Sequence, residues 1–135
     1  MLVQEQHSAL HLAAIYDRPN TIRGLVRHGQ FVDQRDNMQR TALHWAGSAE
    51  VARALLANGA KVDALDANGL TPLHTAQNME VALVLIDAGA DVDARSYRGV
   101  LPDQSAAEEI QGLLAAIREE RAVASEVQRL PVRLR

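Results

Sequence analysis

The sequence predicts an all-α fold, a solenoid of about four stacked helix-turn-helix units with short β-turn fingers, and three observations predict it. A six-residue motif recurs as Ser8–Ala13, Thr41–Ala46, Thr71–Ala76 and, altered, as Leu101–Ala106. A glycine and a Val-Asp pair follow the motif at thirty-residue intervals, at Gly29, Gly59 and Gly89 and from Val32, Val62 and Val92. Apolar residues make up 47% of the chain but aromatic ones only 3%, which suits closely stacked helices. Repetition at this period is typical of stacked-repeat proteins.

We predict one domain over residues 1–135. Its units are expected at about residues 5–40, 41–70, 71–100 and 101–129, the last as a C-terminal cap, with a tail at 130–135. In the first unit, Ser8 is a favourable N-cap because its hydroxyl accepts a free backbone N–H, so a helix is predicted to about Tyr16. Pro19 interrupts it, and a second helix is predicted from about Asn20 to His28.

The second and third units repeat this order with shorter connections. Thr41 and Thr71 take the place of Ser8, and the second unit's outer helix is predicted over about residues 50–58. Only Ser48-Ala49 and Asn78-Met79 separate the two helices of each unit. We therefore expect short helices and a trimmed convex side.

The fourth unit departs from the motif, since Leu101, Asp103 and Gln104 stand where the other copies have Thr or Ser, Leu and His. A terminal repeat must present a polar outer face to water, so these changes indicate a cap. Its second helix is predicted from about Glu108 to about Gln128. The arginines of the tail are interpreted as a solvated terminus, with a partner-binding tail as the alternative.

The repeated pattern, [ST]-[AP]-L-H-x-A followed by an apolar helix and then G-x-x-V-D, resembles the ankyrin repeat over about residues 5–117. The resemblance implies that His11, His44 and His74 hydrogen-bond to the backbone, across their own turn and between repeats. It also implies a non-catalytic module that binds another protein through the concave face of the stack.

The rows of histidines and aspartates raise one alternative, a metal-dependent or hydrolytic enzyme. Neighbouring repeats are about 10 Å apart, one helix diameter, so histidines from successive repeats cannot surround a single zinc ion. The aspartates are interpreted as turn-forming residues rather than calcium ligands or acid–base groups, and they are Asp33, Asp63, Asp66, Asp91 and Asp93. We therefore predict no catalytic residue, no metal site and no cofactor.

Composition excludes several further classes. The formal net charge of −3 argues against general affinity for nucleic acid, and the absence of cysteine excludes disulfides and thiolate chemistry. No apolar run is long enough to span a membrane, and residues 1–7 do not resemble a secretion signal. All basic residues but Lys61 are arginine, which, with abundant alanine, suggests a bacterial source. We expect a cytoplasmic protein, or one delivered as an effector.

Binding information is expected where the copies differ, because packing fixes the shared positions. Arg, Tyr and Met are enriched in the cores of protein interfaces. The partner-binding candidates at finger tips and after inner helices are Tyr16, Met38, Arg40, Met79, Tyr97 and Arg98. The alternative is a solvated finger with incidental apolar residues.

Three features depart from the repeat pattern, and each leads to a separate expectation. Trp45 is expected to fill space between helices, and otherwise to line the groove. Gln39 occupies the place of Gly69 and Gly99, so its finger either accepts a strained positive φ or adopts another turn. The N-terminal end has no polar cap: either Leu2, Val3 and Leu12 cover it, or it forms a homodimer contact, or the chain is a fragment.

For function, the leading hypothesis is binding of a protein partner, and a bacterial source would give this function one of two versions. One version is an inhibitor or immunity protein that blocks a companion enzyme, and the other is an effector that engages a host protein. A homo-oligomeric structural unit is a further alternative.

Overall fold

The computed structural model describes residues 7–129, and its regular elements are all helical. They are α1 (Ala9–Ile15), α2 (Pro19–Arg27), a 3₁₀ turn (Ala42–Trp45), α3 (Ala49–Ala57), α4 (Met79–Asp87), α5 (Pro102–Ser105) and α6 (Glu108–Arg129). No strand is assigned anywhere within residues 7–129. The predicted all-α solenoid is therefore confirmed. In the same range, no helix combines the length and apolar character needed to cross a bilayer.

The first unit follows the predicted capping chemistry. The Ser8 hydroxyl accepts the His11 backbone N–H at 3.3 Å and so caps α1. The chain leaves α1 through Asp17, whose φ of 59° is left-handed. Pro19 is the first residue of α2, where its missing N–H leaves no helical hydrogen bond unmade.

The inner segments of the second and third units are short, as the short connections predicted, and neither is an α-helix. The second unit keeps only the 3₁₀ turn after Thr41, and residues 72–75 of the third unit form hydrogen-bonded turns without a regular helix. The cause is the short connection, because Ser48 and Asn78 already cap the outer helices. Ser48 Oγ accepts the Val51 N–H at 3.2 Å, and Asn78 Oδ1 accepts the Val81 N–H at 2.9 Å.

The core is one row of apolar side chains shared by successive units. Helix α2 packs on α3, α3 on α4, and α4 on α6. The innermost residues of α3, α4 and α6 are at most 1% exposed, and they are Val51, Leu55, Val81, Leu85, Ile110 and Leu114. Leu56, Val84 and Ile86 pack against this row and are only partly buried. Each unit thus depends on its neighbour for burial, as in other solenoids.

The fourth unit closes the stack with polar contacts. Asp103 stands in the slot that Leu43 and Leu73 fill with fully buried side chains, and Arg118 of α6 donates to its Oδ2 at 3.0 Å. Gln104 Oε1 accepts the Leu101 N–H at 2.9 Å, so it reproduces one bond of the missing histidine. These substitutions are consistent with a cap. Helix α6 extends to 22 residues, and residues 121–128 are exposed.

Candidate partner-binding surface

The three motif histidines hold the units together. In each, Nε2 lies 2.7 to 2.8 Å from a backbone carbonyl oxygen of the following finger: His11 with Arg40, His44 with Leu70, His74 with Val100. A carbonyl only accepts, so Nε2 carries the proton. Nδ1 is then free to accept the backbone N–H at the start of its own turn, at 3.0 to 3.3 Å. Each acceptor is the last residue of the histidine's own unit, so the bonds lie across the turn and at the junction with the next repeat, in agreement with the family resemblance.

This geometry occupies both ring nitrogens and leaves none for a metal. For His44, burial lowers the pKa of the ring, and the hydrogen bond to the Leu70 carbonyl opposes this only in part. The Thr41 and Thr71 hydroxyls lie 2.9 to 3.0 Å from their histidines, but both residues are buried, so no substrate reaches them. Within residues 7–129, no group of three His, Asp or Glu side chains could hold a metal ion.

Each finger turns around a side chain that accepts two backbone N–H groups. Asp36 Oδ1 accepts from Met38 and Arg40 at 2.9 and 3.0 Å, and Asp66 does the same for Asn68 and Leu70. In the third finger Ser96 Oγ takes this role. Gln39 has a φ of 63°, so it accepts the positive φ that Gly69 and Gly99 adopt. Asp36 was missing from our sequence candidates, although it aligns with Asp66.

The fingers lie side by side and are joined through the backbone. The Ala67 N–H donates to the Met38 carbonyl at 3.0 Å, and the Tyr97 N–H donates to the Asn68 carbonyl at 3.1 Å. At the finger bases, Asp33 Oδ1 accepts the Lys61 N–H and Asp63 Oδ1 accepts the Asp91 N–H. The row of aspartates thus links neighbouring units as well as forming turns.

Trp45 is at the centre of a polar cluster between the first two fingers. Its indole Nε1 donates to Asp36 Oδ2 at 2.9 Å. The Arg40 guanidinium carbon is 5.0 Å from the indole centroid, and Arg40 Nε pairs with Asp66 Oδ2 at 3.0 Å. Trp45 also packs against the core, so the space-filling role that we expected describes only part of its contacts.

The cluster keeps both buried aspartates ionised. Burial raises the pKa of Asp36, but the hydrogen bonds from the Arg40 N–H, the Trp45 indole and the Met38 N–H outweigh it and lower the pKa below its ordinary value. The pKa of Asp66 is lowered in the same way, by the Leu70 N–H and the Arg40 side chain against the effect of burial. Both carboxylates are therefore charged but withdrawn from the surface.

Four of the six predicted binding residues lie on the fingers. Met38 is 40% exposed and Tyr97 70% exposed, and Arg98 is exposed too. Arg40 is half-buried in the Trp45 cluster. A shallow depression of about 350 Å³ lies between the second and third fingers and the inner turn of the fourth unit. It is lined by Asn68, Leu70, Ser96, Arg98, Val100 and Ser105.

Comparison with known proteins identifies the repeats. A family model described as "Ankyrin repeats (3 copies)" matches residues 2–66, and the model "Ankyrin repeat" matches residues 68–97. The chain belongs to the ankyrin repeat family. Inversin-A and Inversin-B of Xenopus laevis are each 44% identical over 43 residues, which is 32% of this chain and 4% of the relative. The chain thus matches only a small part of these long proteins. Ankyrin repeats generally act as protein–protein interaction modules and are typically non-catalytic.

Tyr16 and Met79, the other two predicted residues, follow inner segments of the ankyrin stack instead of lying on fingers. Tyr16 is 65% exposed and lies beside Leu12 in a depression of about 360 Å³ at the first repeat. Met79 is half-buried, and its N–H donates to Glu109 Oε1 at 3.2 Å. Leu2 and Val3, expected to cover this end, and the tail at 130–135 lie outside the described residues.

Sequence reasoning missed much of the lining of the finger depression. Asn68, Leu70 and Val100 occupy finger positions that differ from one ankyrin repeat to the next. That variation is the signal that could have selected them. Ser105 takes the motif slot of Thr75 and Trp45, and its hydroxyl donates to the His74 carbonyl at 3.0 Å.

Proposed function

We propose that this ankyrin repeat chain is a non-catalytic module that binds a partner protein through its concave face. We define that face as the finger tips, residues 35–40, 65–70 and 95–100, with the inner turns beside them. One observation carries the proposal. The leucine, the histidine and the last alanine that the three intact motif copies share are buried, and the histidines are hydrogen-bonded, whereas Met38, Asn68, Tyr97 and Arg98, which differ between copies, are exposed on adjacent tips.

The fixed conformation of the fingers also supports binding. A Cβ added to Gly69 would lie 2.6 Å from Tyr97 Cδ1, so the Tyr97 ring rests directly on the second finger. The backbone bonds between fingers fix the spacing of the tips. A surface that is already ordered loses less conformational entropy when a partner binds, and this favours affinity.

The test begins with affinity capture from the native cell, followed by mass spectrometry and a binding titration with the purified partner. We expect Tyr97→Ala combined with Arg98→Ala to weaken binding at least tenfold, about 1.4 kcal/mol. Phe31→Ala is the matched control, because Phe31 is 67% exposed but lies where α2 leads into the first finger. Equal binding by the double variant and the wild type, with a loss in the control, would refute the proposal.

If the source is bacterial, as the composition suggests, this function has two versions. An inhibitor or immunity protein would block a companion enzyme in the cytoplasm of the producing cell, and the complex would suppress that enzyme's turnover. An effector would bind a host protein after delivery. Inhibition of an enzyme encoded beside this chain supports the first version, and translocation of a tagged chain into host cells supports the second.

A second candidate is a homodimer through the N-terminal end. The depression there is lined by Ala9, Leu12, Ala13, Tyr16, Arg18 and Thr21, and Leu12 is 42% exposed. Light scattering across a range of concentrations tests this candidate. A dimer of the wild type that becomes a monomer in Leu12→Glu supports it, and a monomer at all concentrations refutes it.

A further inference from the structure

The charged residues at the finger tips are mostly of one sign. The tips contain Arg35, Arg40, Arg95 and Arg98, against two acidic residues, Asp36 and Asp66. The side chains of those aspartates are 0% and 1% exposed. A partner that approaches the tips therefore meets arginines and no accessible carboxylate from these eighteen residues.

The arginines differ in how much of their charge is already paired. Arg40 forms an ion pair with Asp66, and the Arg40 side chain is 17% exposed. Arg35 and Arg95 each donate through Nη1 to a backbone carbonyl of their own finger, Gln39 and Gly99 respectively. A carbonyl is neutral, so these bonds position the guanidinium groups and leave their charge available. The Arg98 side chain makes no hydrogen bond or ion pair within residues 7–129.

None of the exposed carboxylates of residues 7–129 belongs to the three tip ranges. Glu50 and Glu80 are in the first turns of α3 and α4. Asp63 and Asp93 are at the finger bases, and Asp93 is paired with Arg118 at 2.9 Å. A chain whose formal net charge is −3 thus presents a basic edge on its concave side.

We propose that the concave face selects an acidic segment of its partner. Carboxylates of Asp or Glu pair with Arg95 and Arg98, while an apolar side chain enters the depression between Leu70 and Val100. This inference rests on the function proposed above. Guanidinium groups suit the role because their fork of donors matches a carboxylate in bidentate fashion. Charges at the edge of an interface mainly raise the rate of association and exclude wrongly charged partners.

The experiment selects displayed random peptides on the immobilised wild-type chain, with counter-selection on Tyr97→Ala. This variant removes a concave-face contact without changing charge, so it imposes no bias towards acidic peptides. We expect the recovered peptides to be enriched in Asp and Glu over the starting library. Their affinity should fall about tenfold in Arg98→Glu and decrease as the salt concentration rises.

Arg53→Glu is the control, because Arg53 is exposed on α3 and the substitution makes the same change in net charge. Its affinity should stay within about twofold of wild type, and circular dichroism should show both variants folded. The acidic preference would be overturned if the Tyr97-dependent peptides were neutral or basic, or if Arg98→Glu and Arg53→Glu lost affinity equally. Either result would leave the proposed binding function unaffected. Failure to recover any Tyr97-dependent peptide would count against both.

Discussion

Replacing His44 tests the bond network that joins the repeats. The ring is 3% exposed and makes three bonds: Nε2 donates to the Leu70 carbonyl, and Nδ1 accepts from the N–H and the hydroxyl of Thr41. His44→Ala removes all three and leaves a space beside the 3₁₀ turn. His44→Gln should keep the N–H bond, because Gln104 makes the equivalent bond to Leu101 in the fourth unit.

The magnitudes follow from the groups left without partners. A buried polar group that loses its hydrogen bond costs about 1 to 3 kcal/mol. Thr41 is fully buried whereas Leu70 is half-buried, so water relieves only the Leu70 carbonyl. We expect His44→Ala to lower the free energy of unfolding by about 3 to 4 kcal/mol. His44→Gln should cost less, about 1 to 2 kcal/mol, since the buried N–H of Thr41 keeps an acceptor while the bonds to the Thr41 hydroxyl and the Leu70 carbonyl are lost.

Urea unfolding followed by circular dichroism measures both variants. His28→Ala is the matched control, because His28 is exposed and follows α2, and it should change stability by less than about 0.5 kcal/mol. The reasoning fails if His44→Ala is no more destabilising than this control. It also fails if glutamine costs as much as alanine, since the bond within the turn would then contribute nothing.

Three further predictions concern backbone strain, the cap and pH. In thermal unfolding, Gly69→Ala should lower the free energy of unfolding by roughly 2 kcal/mol and Gly59→Ala by about 1 kcal/mol. Both glycines have positive φ, but only at Gly69 would the added Cβ collide with Tyr97. Arg118→Ala should lower the unfolding temperature, because it leaves the Asp103 carboxylate, only 12% exposed, without its cation. Adding Asp103→Leu removes this unpaired carboxylate and should restore the unfolding temperature. Because the pKa of His44 is lowered in the folded chain, the unfolded chain binds a proton more readily below about pH 6.5. The contribution of neutral His44 to stability is therefore present above that pH and is lost as the pH falls. Urea unfolding from pH 7.5 to 5 should show a smaller decrease in the free energy of unfolding for His44→Gln than for the wild type.

Local chemistry at fixed spacing made the fold predictable. Caps, helix-ending glycines and turn residues act over three or four positions, so Ser8, Pro19 and Gly69 could each be interpreted from their neighbours. The exception is the third unit, where residues 72–75 lack a regular helix. The motif there matches the second copy at four of six positions, and small differences in backbone geometry decide between a 3₁₀ turn and a run of hydrogen-bonded turns.

Contacts between repeats were not predictable, because the sequence gives no side-chain direction across a junction. The bond between Trp45 and Asp36 and the pair between Arg40 and Asp66 depend on how one finger lies against the next. The same holds for Arg118, which reaches Asp93 of the third unit and Asp103 of its own. Sequence reasoning marked Asp103 as polar capping and could not supply its partner.

These contacts decide which residues can report on binding alone. Arg40 is among the predicted partner contacts, yet its guanidinium neutralises buried Asp66 and packs on Trp45. Arg40→Ala should therefore lower stability, and weaker binding in that variant would not separate a lost contact from a disordered finger. Arg98 differs because its side chain is exposed and only its backbone N–H holds the turn, through Ser96 Oγ. Arg98 is consequently the residue at which binding and folding can be measured independently.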